Sequence, residues 1–201
     1  MSKVLSRIKP AAKYLPDFLL LLTIVSLQIY FVLQYYARER YIYFYDIGGF
    51  ENIVNNLAVL FPHQWQQLLA QLKSSLPTDY NYYYTLPLIP LVQLLGPNRL
   101  HYLISVVVLY QIPCMLLVGY LFRQLVEKRA RLFFWIAVLI AALLPSAWSP
   151  SLRGYPDIGG TLFICLALGI YLRHDPHQRW WQYLLSGFCL CLLYTSPSPR
   201  D

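Results

Sequence analysis

"FLLLLTIVSLQIYFVLQYYA", residues 18–37, runs for twenty positions without one charged side chain. A helix needs about 20 mainly apolar residues to cross the hydrocarbon core of a bilayer. Comparable runs follow at 102–122 and 132–148, with a shorter one at 158–172 and a fifth from 180 to 190. The composition agrees: 58% of the 201 residues are hydrophobic and 12% charged, against roughly 25% charged in an ordinary soluble domain. The expectation is an all-α, polytopic transmembrane helix bundle. The first run exceeds the usual signal-peptide core, and Tyr35 and Tyr36 follow where a small-residue cleavage site would stand, so it reads as a signal anchor.

The net charge of +7 would suggest nucleic acid in a soluble protein. Here the cations cluster beside apolar runs and report topology instead, so no nucleic-acid partner is expected. Lys3, Arg7, Lys9 and Lys13 precede the first run, Arg123, Lys128, Arg129 and Arg131 link the second and third, and Arg173 and Arg179 link the fourth and fifth. Placing these three segments in the cytoplasm closes the alternation. The predicted protein is therefore multi-pass in a plasma or inner membrane, with a cytoplasmic N-terminus. Residues 38–101 and 149–157 then face outward.

The outer loop, 38–101, carries helical periodicity. Phe50, Ile53, Val54, Leu57 and Phe61 recur at helical spacing opposite Asn52, Asn55 and Asn56, and Trp65, Leu68, Leu69 and Leu72 oppose Gln64, Gln66, Gln67 and Gln71. These read as amphipathic juxtamembrane helices lying on the membrane surface, the alternative being an ordinary folded loop domain. Tyr80, Tyr82, Tyr83 and Tyr84 form a cluster suited to interfacial anchoring or to stacking on a sugar. Residues 86–95, interrupted by Pro87 and Pro90, read as a re-entrant or surface-lying segment.

Two similar stretches stand on the outward side: "YDIGG", residues 45–49, and "YPDIGG", residues 155–160. An aspartate at a helix start is suited to capping, because its oxygen accepts a free backbone N–H. A carboxylate at a membrane edge is equally suited to chemistry, and glycines beside it permit close backbone approach. Both roles stay open for Asp46 and Asp157. Arg153 and Tyr155, beside Asp157, are candidates for binding an anionic headgroup and orienting a hydroxyl-rich ligand. Glu51 and Asp79 are further candidates for substrate binding. His63, His101, His174 and His177 are scattered, and Cys114, Cys165, Cys189 and Cys191 lack metal-ligand spacing. No cofactor is implied, and a divalent metal has no donor set.

Asp46 after the first span, surface helices, and Asp157 before the fourth span together resemble the N-terminal part of a GT-C type glycosyltransferase. That superfamily of polyprenyl-phosphate-sugar-dependent enzymes includes protein O-mannosyltransferases and lipid A aminoarabinose transferases. The resemblance covers residues 1–190. It implies a lipid-linked sugar donor in the bilayer, a hydroxyl-bearing acceptor, and inverting transfer on the outer face. It casts Asp46 as general base, Asp157 as the group orienting the acceptor, and Arg153, backed by Arg38 or Arg40, as the cation facing the leaving phosphate. Many members carry two adjacent acids in the first loop, whereas here Ile47 follows Asp46 and the next acid is Glu51.

The closing stretch "CLLYTSPSPRD", residues 191–201, matches in all eleven letters one reading frame of a transposon-end adapter used in sequencing-library preparation. Those residues are expected to be foreign, and 1–190 to be the first part of a longer protein, inactive alone. A polytopic transporter and a non-catalytic membrane assembly protein are the competing readings.

Overall fold

The computed structural model describes residues 2–40, 46–61, 63–77, 82–172 and 180–194, with side chains described for 14–40, 48–61, 63–77, 82–172 and 180–189. All regular structure among these residues is helical: α1 (Ser2–Arg38), α2 (Asp46–Leu60), α3 (Trp65–Ser75), a 3-10 turn (Tyr82–Thr85), α4 (Ile89–Leu95), α5 (Arg99–Val106), a π segment (Val107–Gln111), α6 (Ile112–Gln124), α7 (Ala130–Leu143), α8 (Pro145–Arg153), α9 (Asp157–Leu172) and α10 (Trp180–Tyr194).

The rod formed by α5, the π segment and α6 is the axis. Its apolar window is 61% buried, whereas that of α1 is 17% buried. Tyr102, Leu103, Val106, Val107 and Tyr110 of the rod pack against Phe50, Val54 and Leu57 of α2 and against Leu88, Ile89 and Val92 around α4. The π segment has a local cause. Pro113 has no N–H to give the carbonyl four residues back, so the ladder widens and the Ile112 N–H bonds the Val107 oxygen.

Three polar ties hold α1, which buries little apolar surface, to this axis and to α7. At one end Asp17 accepts from Arg131 Nε at 2.8 Å and Trp135 Nε1 at 2.7 Å. At mid-length Gln28 Nε2 donates to the Ala142 carbonyl at 3.3 Å, and Gln111 Nε2 donates to Gln28 Oε1 at 3.0 Å. At the other end Glu39 meets Arg99. At ~1.5 Å of rise per residue, Asp17 and Glu39 stand about 33 Å apart, close to the ~30 Å hydrocarbon thickness of a bilayer.

Two helices, at 14–38 and 99–124, are long and apolar enough to be membrane spans, or three if α7 and α8 count as one bent span. The run expected as a span over 132–148 forms two helices, α7 and α8. The helix breaks at Leu144 and bends by 51°, because a residue before proline avoids the α region, and Leu144 is extended at φ −72°, ψ 114°. With 16 residues, α9 rises ~24 Å, short of the full core. The helices of the 38–101 segment also differ from the surface-lying arrangement expected. The Phe50, Val54 and Leu57 face of α2 and the Leu68 and Leu72 face of α3 are buried in the protein's own core. Val59, Trp65 and Leu69 remain exposed. The 86–95 segment packs through α4 into the same core.

Helices α6 and α7 approach closely at Gly119. A Cβ there would stand 2.5 Å from Val138 Cγ2 and 2.9 Å from the Phe134 carbonyl oxygen, whereas one at Gly49 would meet nothing within 4 Å. Gly119→Val is therefore expected to destabilise by about 1–3 kcal/mol through overpacking. Gly49→Ala, in a helix facing open space, is expected to be neutral or to stabilise by about 0.5–1 kcal/mol. Thermal unfolding in detergent checks both; equal effects would remove the close crossing as the cause.

Candidate functional site

The site gathers where α1 ends and α5 begins. Asn98 caps α5, its side chain accepting the His101 N–H at 2.9 Å. Arg99 therefore occupies the first turn, where the helix dipole disfavours a cation. Two carboxylates offset this. Arg99 Nε and Nη2 fork onto Glu39 at 2.7 and 2.6 Å, and Nη1 reaches Glu51 at 2.9 Å. The three side chains are 15%, 8% and 19% exposed, so the ions sit in a poorly solvated pocket where geometry matters most. Arg99 Nη2 also lies 3.4 Å from the Arg153 carbonyl, tying in the end of α8.

One turn along α5, the Tyr102 hydroxyl donates to the Gly154 carbonyl at 2.7 Å. Gly154 closes α8 with φ 94°, its N–H bonding Ser151 and the Tyr155 N–H bonding Pro150 at 3.0 Å. This doubly bonded helix end favours glycine, and a Cβ there would come 3.2 Å from the Tyr102 ring. The Tyr155 ring stands 6.1 Å from Phe50, which meets Tyr84 edge-on at 5.5 Å.

Asp157 opens α9 just before its apolar body. The expected capping role is not what the structure shows for this residue. The helix starts at Asp157 itself, the Gly159 N–H bonds the Pro156 carbonyl at 2.8 Å, and the carboxylate makes no hydrogen bond or ion pair among the described residues. Its partial burial raises its pKa above the ordinary carboxylate range. The same helix start lines a cavity of about 180 Å³ through Pro156, Gly159, Gly160 and Phe163, opposite Tyr83, Tyr84 and Tyr110; Asp157 itself is not among its lining residues. Tyr110 bonds the Tyr84 carbonyl through its hydroxyl, and a Cβ on Gly159 would press on the Tyr110 ring at 3.1 Å. The Tyr84 hydroxyl is buried without a hydrogen-bond partner.

Of the residues singled out by sequence, the structure brings together Glu51, Tyr155, Asp157 and the backbone of Arg153. The Arg153 side chain is exposed and pairs with no carboxylate among the described residues, so the anticipated link from Arg153 to Asp157 is not formed. Asp46 begins α2, but its side chain, Tyr80 and all of Asp79 lie outside the described residues. Arg38 is exposed beside an open groove of about 320 Å³ that Glu39 also lines. Among the described residues, no three His, Cys, Asp or Glu side chains gather to hold a metal ion. Sequence reasoning missed Glu39, Arg99 and Tyr102. The available signal was an arginine directly after a capping asparagine at the mouth of an apolar run.

Two outcomes test this geometry. Arg99→Ala leaves two buried carboxylates facing each other and is expected to cost about 3–5 kcal/mol in unfolding experiments, more than Glu51→Gln, which removes a single contact. Asp157→Asn is expected to raise the melting temperature at neutral pH. A carboxyl whose folded pKa lies above its unfolded value is penalised when ionised, so wild type gains stability as pH falls through that pKa and the gap to the variant closes. A gap that persists in acid would remove burial of the charge as its cause. Comparison with family models, with curated proteins and with solved structures returns no match for this chain.

Proposed function

We propose that this chain carries the outer-face site of a multi-pass membrane glycosyltransferase, which moves a sugar from a polyprenyl-phosphate donor to an acceptor hydroxyl. The observation that carries the proposal is Asp157: a half-buried carboxylate, unpartnered among the described residues, on the helix whose Pro156, Gly159, Gly160 and Phe163 line an aromatic cavity, with an exposed arginine four residues away. A general base works best when its pKa is lifted toward the working pH, and burial acts on Asp157 in that direction. Tyr83, Tyr84 and Phe163 offer faces on which a sugar ring stacks.

Asp157 takes the proton of the acceptor hydroxyl as its oxygen bonds the anomeric carbon. The bond from that carbon to the phosphate oxygen breaks, and the lipid phosphate leaves with the electron pair, its charge met by Arg153. The base role thereby moves from Asp46, favoured by the family resemblance, to Asp157. Glu51 and Glu39, both engaged in ion pairs with Arg99, position that residue and the loop. The clusters of Lys and Arg orient the chain with its N-terminus in the cytoplasm.

A transporter reading draws on the buried amide pair Gln28–Gln111. That pair carries no ionisable group and ties α1 to the π segment, with Gln28 also bonding the Ala142 carbonyl of α7, as interhelical hydrogen bonds do in membranes, so the enzyme reading stands ahead.

Transfer of labelled sugar from a short polyprenyl-phosphate donor, assayed in membranes containing the full-length protein, tests the assignment. Asp157→Asn is expected to reduce the rate by about 10²–10⁴-fold without loss of protein from the membrane. Full activity in Asp157→Asn with none in Asp46→Asn would return the base role to Asp46. Full activity in both would sink the site.

A further inference from the structure

We infer that the end of α7 opposite the acidic site binds an anionic phospholipid, its phosphate at Arg129 and Arg131 and one acyl chain along the groove between α7 and α1. The inference rests on the chain lying in a membrane, not on glycosyl transfer. A groove of about 580 Å³ runs there, with Arg129 and Arg131 at its mouth. Leu132, Trp135, Ile136 and Leu139 form one face of α7 along it, and Leu20 of α1 closes the other side. From Arg131 to Leu139 the helix rises about 12 Å, close to the ~15 Å depth of a single leaflet. An acyl chain fits that run, and a soluble anion has no use for it.

Charge points the same way. Among the described residues of this end, Arg123, Lys128, Arg129 and Arg131 stand with the acids Glu127 and Asp17, four cations to two acids. Asp17 meets Arg131 at 2.8 Å and the Trp135 indole at 2.7 Å, which fixes the mouth of the groove. Arg129 is exposed and forms no ion pair among the described residues. Basic pockets between membrane helices are suited to anionic headgroups, because the cations stand at phosphate level while the walls stay apolar.

The backbone of Arg129 supplies a clean variant. It adopts φ 57°, the sole non-glycine residue with positive φ among the described residues. Glycine takes that conformation without steric cost, so Arg129→Gly removes the charge without unfolding pressure. The experiment is thermal unfolding of the protein in phosphatidylcholine nanodiscs titrated with phosphatidylglycerol. Wild type is expected to gain melting temperature with the anionic lipid. Arg129→Gly is expected to melt no lower than wild type in pure phosphatidylcholine and to need roughly fivefold more phosphatidylglycerol for the same gain. Arg123→Gln, which removes one charge outside the groove, keeps the wild-type response. An unchanged response in Arg129→Gly, or an equal loss in Arg123→Gln, overturns the site. So does a full gain produced by inorganic phosphate alone.

Discussion

Arg99 stands at the first turn of a helix, where the aligned peptide dipoles repel a cation, and it remains there because Glu39 and Glu51 receive all three of its nitrogens. This compensation is the constraint on which this end of the molecule depends. Glu39 comes from the end of α1, Glu51 from α2, and the Arg153 carbonyl from the end of α8. One guanidinium thus fixes the meeting point of four elements. With that point set, Tyr102 reaches Gly154 and the start of α9 lies against Tyr110, where Gly159 and Gly160 line an aromatic cavity.

The same logic runs the length of α1. Its apolar window is only 17% buried, so shape complementarity contributes little to its position. Ion and amide contacts at Asp17, Gln28 and Glu39 specify its depth and rotation instead. In an apolar surrounding such contacts act as positioning devices, because a polar group has few other partners there. The core around α2, α4 and α5 is different: it is a close-packed apolar cluster of the kind found beneath a folded loop domain.

The helical character was legible in the sequence. Apolar runs of span length and the 3.6-residue pattern in 50–61 and 65–72 marked the long helices and the loop helices. The break before Pro145 was also present in the letters, since a residue preceding proline leaves the α region; an unbroken apolar run over 132–148 concealed it. The site was less legible. Glu39 sits between Arg38 and Arg40 and reads as part of a basic cluster. Its pairing with Arg99 joins residues 60 apart, which no local periodicity encodes. The two DIGG stretches look alike in sequence and differ in space: Gly159 packs on Tyr110, while Gly49 faces open volume. Capping at Asp157 was the local expectation, and it failed because the helix begins one residue earlier than a cap requires.

The 60-residue separation between Glu39 and Arg99 has a further consequence, for the order of biosynthesis. At roughly 5–20 residues per second, the ribosome delivers Arg99 about 3–12 seconds after Glu39. Until then Glu39, and Glu51 once it is made, lack the guanidinium that receives them in the folded chain. The pairing with both glutamates can close once Arg99 is made, and the tie to the Arg153 carbonyl only later still.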